Sequence, residues 1–107
     1  MDTSVPSQFA EVADRLLGDA GVERGRKLHA PALKVRGRFF AFTTKGELVV
    51  KLPAARVYEL IARGAGRPCD PGKGRPMREW VRLTPADEKA CAAYIVEARN
   101  FVAAQAR

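Results

Sequence analysis

The sequence predicts an α+β domain in which an antiparallel sheet of four to five strands is flanked by three helices. Three observations predict this class. Apolar residues near the N-terminus, in the middle and at the C-terminus recur at the spacing of a helix. Between these stretches apolar and polar residues alternate, as they do in half-buried strands. The turns between the strand-like segments are too short for parallel crossovers, so we expect the strands to pair by hairpins.

The first predicted element is a helix over residues 5–17. Phe9, Val12 and Leu16 share one face of this helix, and a glycine ends it. The polar segment 22–29 that follows contains a glycine, and we expect an extended connection or a short edge strand there. The chain therefore enters the sheet after one amphipathic helix.

Three further strands are predicted in the middle of the chain. Residues 33–36 and 38–43 are separated by one glycine, and a Thr-Lys-Gly turn leads to residues 47–52. In the third of these strands the even-numbered residues, such as Leu48 and Val50, are apolar, whereas the odd-numbered ones include a glutamate and a lysine. This alternation predicts that one face of the sheet meets the core.

The second half of the chain predicts two more helices and one more strand. A helix is expected over residues 53–63, with a proline in its first turn. Residues 65–76 contain too many glycines and prolines for a regular element, so we expect a loop. A strand over 77–83 follows, and Thr84 with Pro85 resembles a helix start from which the last helix runs to the C-terminus.

Length and composition narrow the class of protein. The chain has 107 residues and a mass of 11.7 kDa, which predicts a single domain over residues 1–107. No apolar run approaches the roughly 18 residues that a membrane-spanning helix needs, and the N-terminus lacks the apolar stretch of a signal peptide. The two cysteines form no disulfide framework. We expect a cytoplasmic protein with no membrane partner.

No motif in the sequence predicts catalysis. The glycine-rich segment 66–74 does not match a phosphate-binding P-loop, because Gly74 stands where a serine or threonine must bind magnesium. His29 is the only histidine, and its spacing from Cys69 and Cys91 matches no zinc site and no nucleophile–base signature. We therefore expect a chain that is not an enzyme and that uses no metal and no cofactor.

The distribution of charge is more informative. The net charge is +7, and it comes from the middle of the chain, where residues 23–52 carry +6 and residues 53–84 carry +4. A positive field of this kind attracts polyanions such as nucleic acid. The predicted strands and loops of this region supply nine candidate nucleic-acid-binding residues: Lys34, Arg36, Arg38, Lys45, Arg67, Lys73, Arg75, Arg78 and Arg82.

The segment around the only tryptophan has two interpretations. Strand alternation places Arg78, Trp80 and Arg82 on one face. In the first interpretation the arginines contact phosphates and the indole stacks on a base. In the second, Trp80 fills the core and the aliphatic stems of the arginines pack beside it. The sequence leaves both open.

Three segments resemble a known family. They are Leu33–Phe42, with a glycine turn before an aromatic strand, Gly46–Pro53, which ends in Lys-Leu-Pro before a helix, and Gly74–Val81, which leads into the tryptophan strand. In this order they resemble the TfoX/Sxy N-terminal-like family and its MmcQ/YjbR relatives. The resemblance implies an α+β fold with an antiparallel sheet. It also implies a link to transcriptional regulation and DNA, although we expect this chain to lack the second domain that the regulators carry.

These observations predict a non-catalytic binding or regulatory module of the TfoX N-terminal-like type, with nucleic acid as its partner through a basic sheet surface. The alternative is a protein-interaction domain that forms a homodimer and whose positive charge has no nucleic-acid role. An exposed surface on which the cations gather favours the first.

Overall fold

A computed structural model describes residues 4–18, 21–27, 30–69 and 77–105 of the chain. The described residues form three helices and six strands. In chain order these are α1 (Val5–Leu16), β1 (Val22–Lys27), β2 (Ala30–Val35), β3 (Arg38–Thr44), β4 (Glu47–Lys51), α2 (Ala54–Ala62), β5 (Gly66–Cys69), β6 (Met77–Leu83) and α3 (Glu88–Gln105).

The six strands form one sheet in the order β1-β2-β3-β4-β6-β5, and all neighbours are antiparallel. The first four strands follow one another by short turns. Helix α2 then carries the chain from β4 past one strand position to β5, and β6 fills the gap. The predicted α+β class with three helices and an antiparallel sheet is confirmed. The sheet has one strand more than the upper limit of the prediction.

The additional strand is β5, which lies where the sequence predicted an irregular loop. It pairs with β6 at the edge of the sheet, where a proline is tolerated because one side of the strand needs no N–H donor. Gly66 is required there, since a Cβ atom at this position would lie 2.6 Å from the Val81 Cγ2 atom. The prediction of a loop was therefore wrong for Gly66–Cys69, and residues 70–76 lie outside the described residues.

The last helix begins later than the sequence predicted. Thr84 and Pro85 precede the helix, which starts at Glu88. The Ala90 N–H donates a hydrogen bond of 2.8 Å to the Asp87 Oδ1 atom, so the aspartate caps the helix. The threonine–proline start was wrong because Asp87 offers a carboxylate that satisfies an N–H group in the first turn.

The helices pack on one face of the sheet, which we call the covered face. Its core includes Leu48 and Val50 of β4, Phe9 of α1, Leu60 of α2 and Ile95 of α3, and all five side chains are at most 3% exposed. The predicted alternation in β4 is thus confirmed. No helix in the described part of the chain has the length and apolar character needed to cross a membrane.

A β-bulge in β3 places the phenylalanines of this strand on both faces of the sheet. The register between β2 and β3 shifts at Leu33, so that Phe40 and Ala41 both contact the covered core. Phe39 and Phe42 point to the opposite side, where the second hydrophobic cluster lies. We call this opposite side the open face, because all three described helices pack on the other side.

Candidate nucleic-acid interface

The centre of the open face is a small apolar cluster. Ala32, Phe42 and Val49, on three adjacent strands, are at most 8% exposed. The half-buried side chains of Phe39, Cys69 and Trp80 pack around them. The rings of Phe42 and Trp80 have centroids 5.6 Å apart at an interplanar angle of 57°, a tilted arrangement that is favourable for aromatic pairs. The open face therefore presents aromatic surface around a packed centre.

Two lysine–aromatic pairs lie on this face. Lys34 of β2 lies opposite Phe39 of β3, and Lys51 of β4 lies opposite Trp80 of β6. The Lys34 Nζ atom is 5.4 Å from the Phe39 ring centroid, and the Lys51 Nζ atom is 4.0 Å from a carboxylate oxygen of Glu79. With strands about 4.8 Å apart, the four neighbouring strands that carry these pairs span roughly 15 Å.

A buried carboxylate joins two arginines at the side of this face. The Glu47 Oε1 atom accepts a hydrogen bond of 2.6 Å from Arg82 Nη2 and a second one from Arg67 Nη2. The Glu47 Oε2 atom accepts from Arg67 Nε at 3.1 Å. Glu47 is only 7% exposed. The hydrogen bond from Arg67 and the positive charge of Arg82 lower the pKa of Glu47 despite the opposing effect of burial.

The nine candidate residues do not form a single patch. Lys34, Arg36 and Arg38 lie at the end of the β2–β3 hairpin, whereas Lys45 lies in the β3–β4 turn at the other end of β3. Six residue steps separate Arg38 from Thr44, which corresponds to about 20 Å along the strand. The cations therefore occupy both ends of the sheet and the open face between them.

The remaining candidates occupy three positions. Arg67 and Arg82 are bound to Glu47, and Arg78 is exposed at the start of β6. Lys73, Arg75 and His29 lie outside the described residues. Residues 70–76, for which the sequence predicted a loop, lie outside them as well.

Some cations of the chain form ion pairs between helices, whereas several of the candidate cations that the structure describes do not form ion pairs. Arg15 of α1 pairs with a glutamate of α3 at 2.6 Å, and Arg56 of α2 pairs with another at 2.9 Å. Within the four described ranges, the cations at the hairpin ends and at the start of β6 take part in no ion pair. These are Lys34, Arg36, Arg38, Lys45 and Arg78. Their charge is not offset by a neighbouring carboxylate in this part of the chain.

Two functional features were missed by the sequence interpretation. A bulge places Phe39 and Phe42 on the same side of the sheet as Trp80. Strict alternation along the strand would place these two phenylalanines on opposite faces, so the sequence pattern does not predict the bulge. The contact of Glu47 with Arg67 and Arg82 joins residues that are 20 and 35 positions apart. The alternation of β4 was the available signal, because it already placed Glu47 away from the covered core.

Among the residues that the structure describes, no three histidine, cysteine or acidic side chains lie close enough together to hold a metal ion. Comparisons with protein-family models, with curated proteins and with solved structures found no match to this chain. The resemblance to the TfoX/Sxy N-terminal-like family therefore stays a prediction, and the geometry of the open face is the basis for a function.

Proposed function

We propose that this chain binds single-stranded nucleic acid on the open face of its sheet. The observation that carries the proposal is the presence of two lysine–aromatic pairs, Lys34 with Phe39 and Lys51 with Trp80, on four neighbouring strands of the open face. Aromatic side chains stack on unpaired bases whatever their identity, and lysines beside them contact the phosphates between the bases. Two aromatic platforms accommodate about two bases, as in other sheets that bind RNA.

The geometry favours a single strand over a duplex. Bases in a duplex are stacked inside it, and proteins reach their edges with a helix or a two-stranded ribbon inserted into the major groove. Phe39 and Trp80 instead lie half-buried in a sheet surface, where only an unstacked base can meet their rings. Arg78 is two residues from Trp80 in the same strand and adds a cation on the same face.

The only tryptophan of the chain reports binding directly. Adding a single-stranded oligonucleotide is expected to quench the fluorescence of Trp80, and the affinity is expected to fall as salt rises because phosphate contacts release counterions. A duplex of the same length is expected to bind more weakly. Absence of salt-sensitive binding of single strands at tens of micromolar protein would remove the proposal.

A matched pair of charge reversals tests the location of the site. Arg78→Glu on the open face is expected to weaken binding and to reduce the slope of log affinity against log salt by about 0.7, because it removes one phosphate interaction. Lys89→Glu changes the net charge by the same amount from an exposed position in α3, on the covered side. Equal decreases in affinity in both variants would show attraction by net charge alone and would contradict binding at the open face.

The alternative of a homodimeric interaction domain has less support. Both sheet edges carry features that oppose strand pairing between molecules. The β1 edge contains Glu23, Arg24 and Gly25, and the β5 edge is four residues long and contains Pro68. We expect light scattering to give the mass of a monomer near 11.7 kDa, and a dimer at micromolar concentration would favour the alternative.

A further inference from the structure

A pocket lies at one end of the sheet, beside the open face. The β3–β4 turn, the segment after α2, strand β5 and the end of β6 surround a pocket of about 460 Å³. Its charged lining consists of Lys45, Glu47, Arg67 and Arg82, and Thr84 adds a hydroxyl group. Three cations and one carboxylate give this pocket a net charge of about +2.

The two arginines of this pocket retain hydrogen-bond donors. A guanidinium group has five N–H donors. Arg67 uses two of them on Glu47, through Nε and Nη2, and Arg82 uses one, through Nη2. The Arg82 Nε atom is buried and has no hydrogen-bond partner among the described residues. The donors that remain on the Nη atoms of Arg67 and Arg82 are the ones that can meet an additional acceptor in this pocket.

The carboxylate also holds the two guanidinium groups in place. Arg67 and Arg82 donate to the same Oε1 atom of Glu47, which keeps two positive groups adjacent despite their mutual repulsion. A ligand that meets both groups therefore does not have to order them first.

The end of α2 near the pocket opposes this charge only weakly. A helix C-terminus carries about half a negative charge. Its last carbonyl groups also accept hydrogen bonds, since the Gly64 N–H donates to Ile61 O at 3.0 Å and the Ala65 N–H donates to Leu60 O at 2.9 Å. The net charge of about +2 from the side chains outweighs the helix end.

We infer that this pocket binds a phosphate monoester or a free phosphate dianion. A dianion matches the charge of the site, and its terminal oxygens accept hydrogen bonds from guanidinium groups with two-pronged geometry. Lys45 lines the pocket from a turn in which it has a positive φ of 50° and the following Gly46 one of 78°. The source is either the terminal phosphate of a nucleic-acid strand or a small phosphorylated molecule.

The chain contains a matched control for a test. Lys45 and Arg36 are both exposed, both have positive φ values of 50° and 53°, and both precede a glycine in a hairpin turn. Asparagine tolerates this backbone conformation, so Lys45→Asn and Arg36→Asn are expected to fold and to remove the same charge. Of these two cations, Lys45 lines the pocket.

The first measurement is the midpoint temperature of thermal unfolding of the full chain in millimolar inorganic phosphate. It is compared with the midpoint in sodium chloride of equal ionic strength. A ligand that binds the folded state raises the midpoint. We expect the increase in the wild type and in Arg36→Asn, and an affinity about tenfold weaker in Lys45→Asn. No increase beyond the chloride control, or equal increases in both variants, would overturn the inference.

A second measurement locates the ligand and identifies its source. Amide resonances of Gly46, Gly64 and Gly66 are expected to shift on addition of phosphate, and shifts confined to Gly37 in the other turn would contradict the site. Oligonucleotides with and without a 5′-phosphate distinguish the sources. Tighter binding of the phosphorylated strand indicates that the pocket binds the terminal phosphate of a strand. If both strands bind equally and phosphate still shifts the resonances of the pocket glycines, the ligand is a small phosphorylated molecule. In that case the proposal for the open face is decided by its own experiments.

Discussion

The two faces of the sheet contain similar side chains in very different surroundings. The cluster on each side includes one cysteine, and the bulge in β3 gives each face a phenylalanine from consecutive positions, Phe39 on the open face and Phe40 on the covered face. Phe40 is fully buried beneath the helices, whereas Phe39 is half-buried beside a lysine. The covered face contains the larger core, whereas the open face has a smaller cluster with half-buried aromatic rings beside charged side chains.

The charged residues follow the same division. Arginines on the helices meet glutamates on neighbouring helices, as in the contacts of Arg15 and Arg56. On the open face the carboxylate of Glu47 is paired with two arginines, and Lys34 lies over an aromatic ring. Lysines and arginines that meet no carboxylate produce a positive potential that attracts polyanions.

The largest contrast is expected in the reactivity of the two cysteines, neither of which forms a disulfide. Burial and the nearby Glu88 raise the pKa of Cys91 to about 11, and its side chain is fully buried. Modification of Cys91 therefore requires unfolding, which costs at least about 5 kcal/mol in a typical domain. We expect one equivalent of thiol to react in the native protein at pH 8 and the second only in denaturant.

Two variants assign the reacting thiol. Cys69→Ser is expected to abolish the reaction of the native protein, and Cys91→Ser to leave it unchanged. Two rapidly reacting thiols in the native wild type would show that the covered face opens readily and would weaken the contrast between the faces.

The next contrast is between the two neighbouring phenylalanines. Phe40→Ala removes a fully buried ring from the covered core and is expected to lower the free energy of unfolding by about 3–5 kcal/mol. Phe39→Ala removes a half-buried ring and is expected to cost about 1 kcal/mol. Urea denaturation measures both. Binding of single strands should weaken in Phe39→Ala, and equal decreases in stability would mean that both faces support the fold alike.

The smallest of these effects is expected at Glu47. Glu47→Gln is expected to lower the free energy of unfolding by about 1–2 kcal/mol at pH 7, a modest value because the Arg67 side chain is 65% exposed. The folded-state pKa of Glu47 lies below its ordinary value of 4.5, so its ionised form stabilises the protein above that pH. This contribution disappears as pH falls through the lowered pKa.

Denaturation at several pH values tests the sign. The difference between wild type and Glu47→Gln is expected to be constant from pH 7 to about pH 5 and to shrink below pH 4.5. A difference that grows as the pH falls would contradict the lowered pKa and the shared ion pair.

Local patterns in the sequence predicted much of the fold. The alternation of Glu47–Lys51 and the two positive-φ turns ending in glycine placed the central hairpins correctly, because strand period and turn geometry depend on adjacent residues. The edge strand Gly66–Cys69 was missed because its glycine and proline are accommodated only by a particular neighbour, β6. The start of α3 was misplaced because Thr84 and Pro85 match the pattern of a helix start, whereas the side chain that caps the helix is Asp87.

The candidate site was predicted only in part. Composition identified a basic central region that includes Lys34, Arg78 and Arg82, but it did not separate the cations that meet carboxylates from those that do not. That distinction depends on contacts such as Glu47 with Arg67, which the sequence separates by 20 positions. The aromatic part of the site depends on a bulge that the residue pattern does not mark.

The amino-acid sequence by itself determined the helices, most strands and the side of β4 that meets the core, since each follows from interactions within a few residues. Tertiary structure alone decided that β6 lies between β4 and β5, that Glu47 joins two arginines, and that Phe39 shares a face with Trp80. These arrangements form only when distant segments of the chain pack against one another. Their stability therefore depends on the whole folded chain and not on any local stretch of sequence.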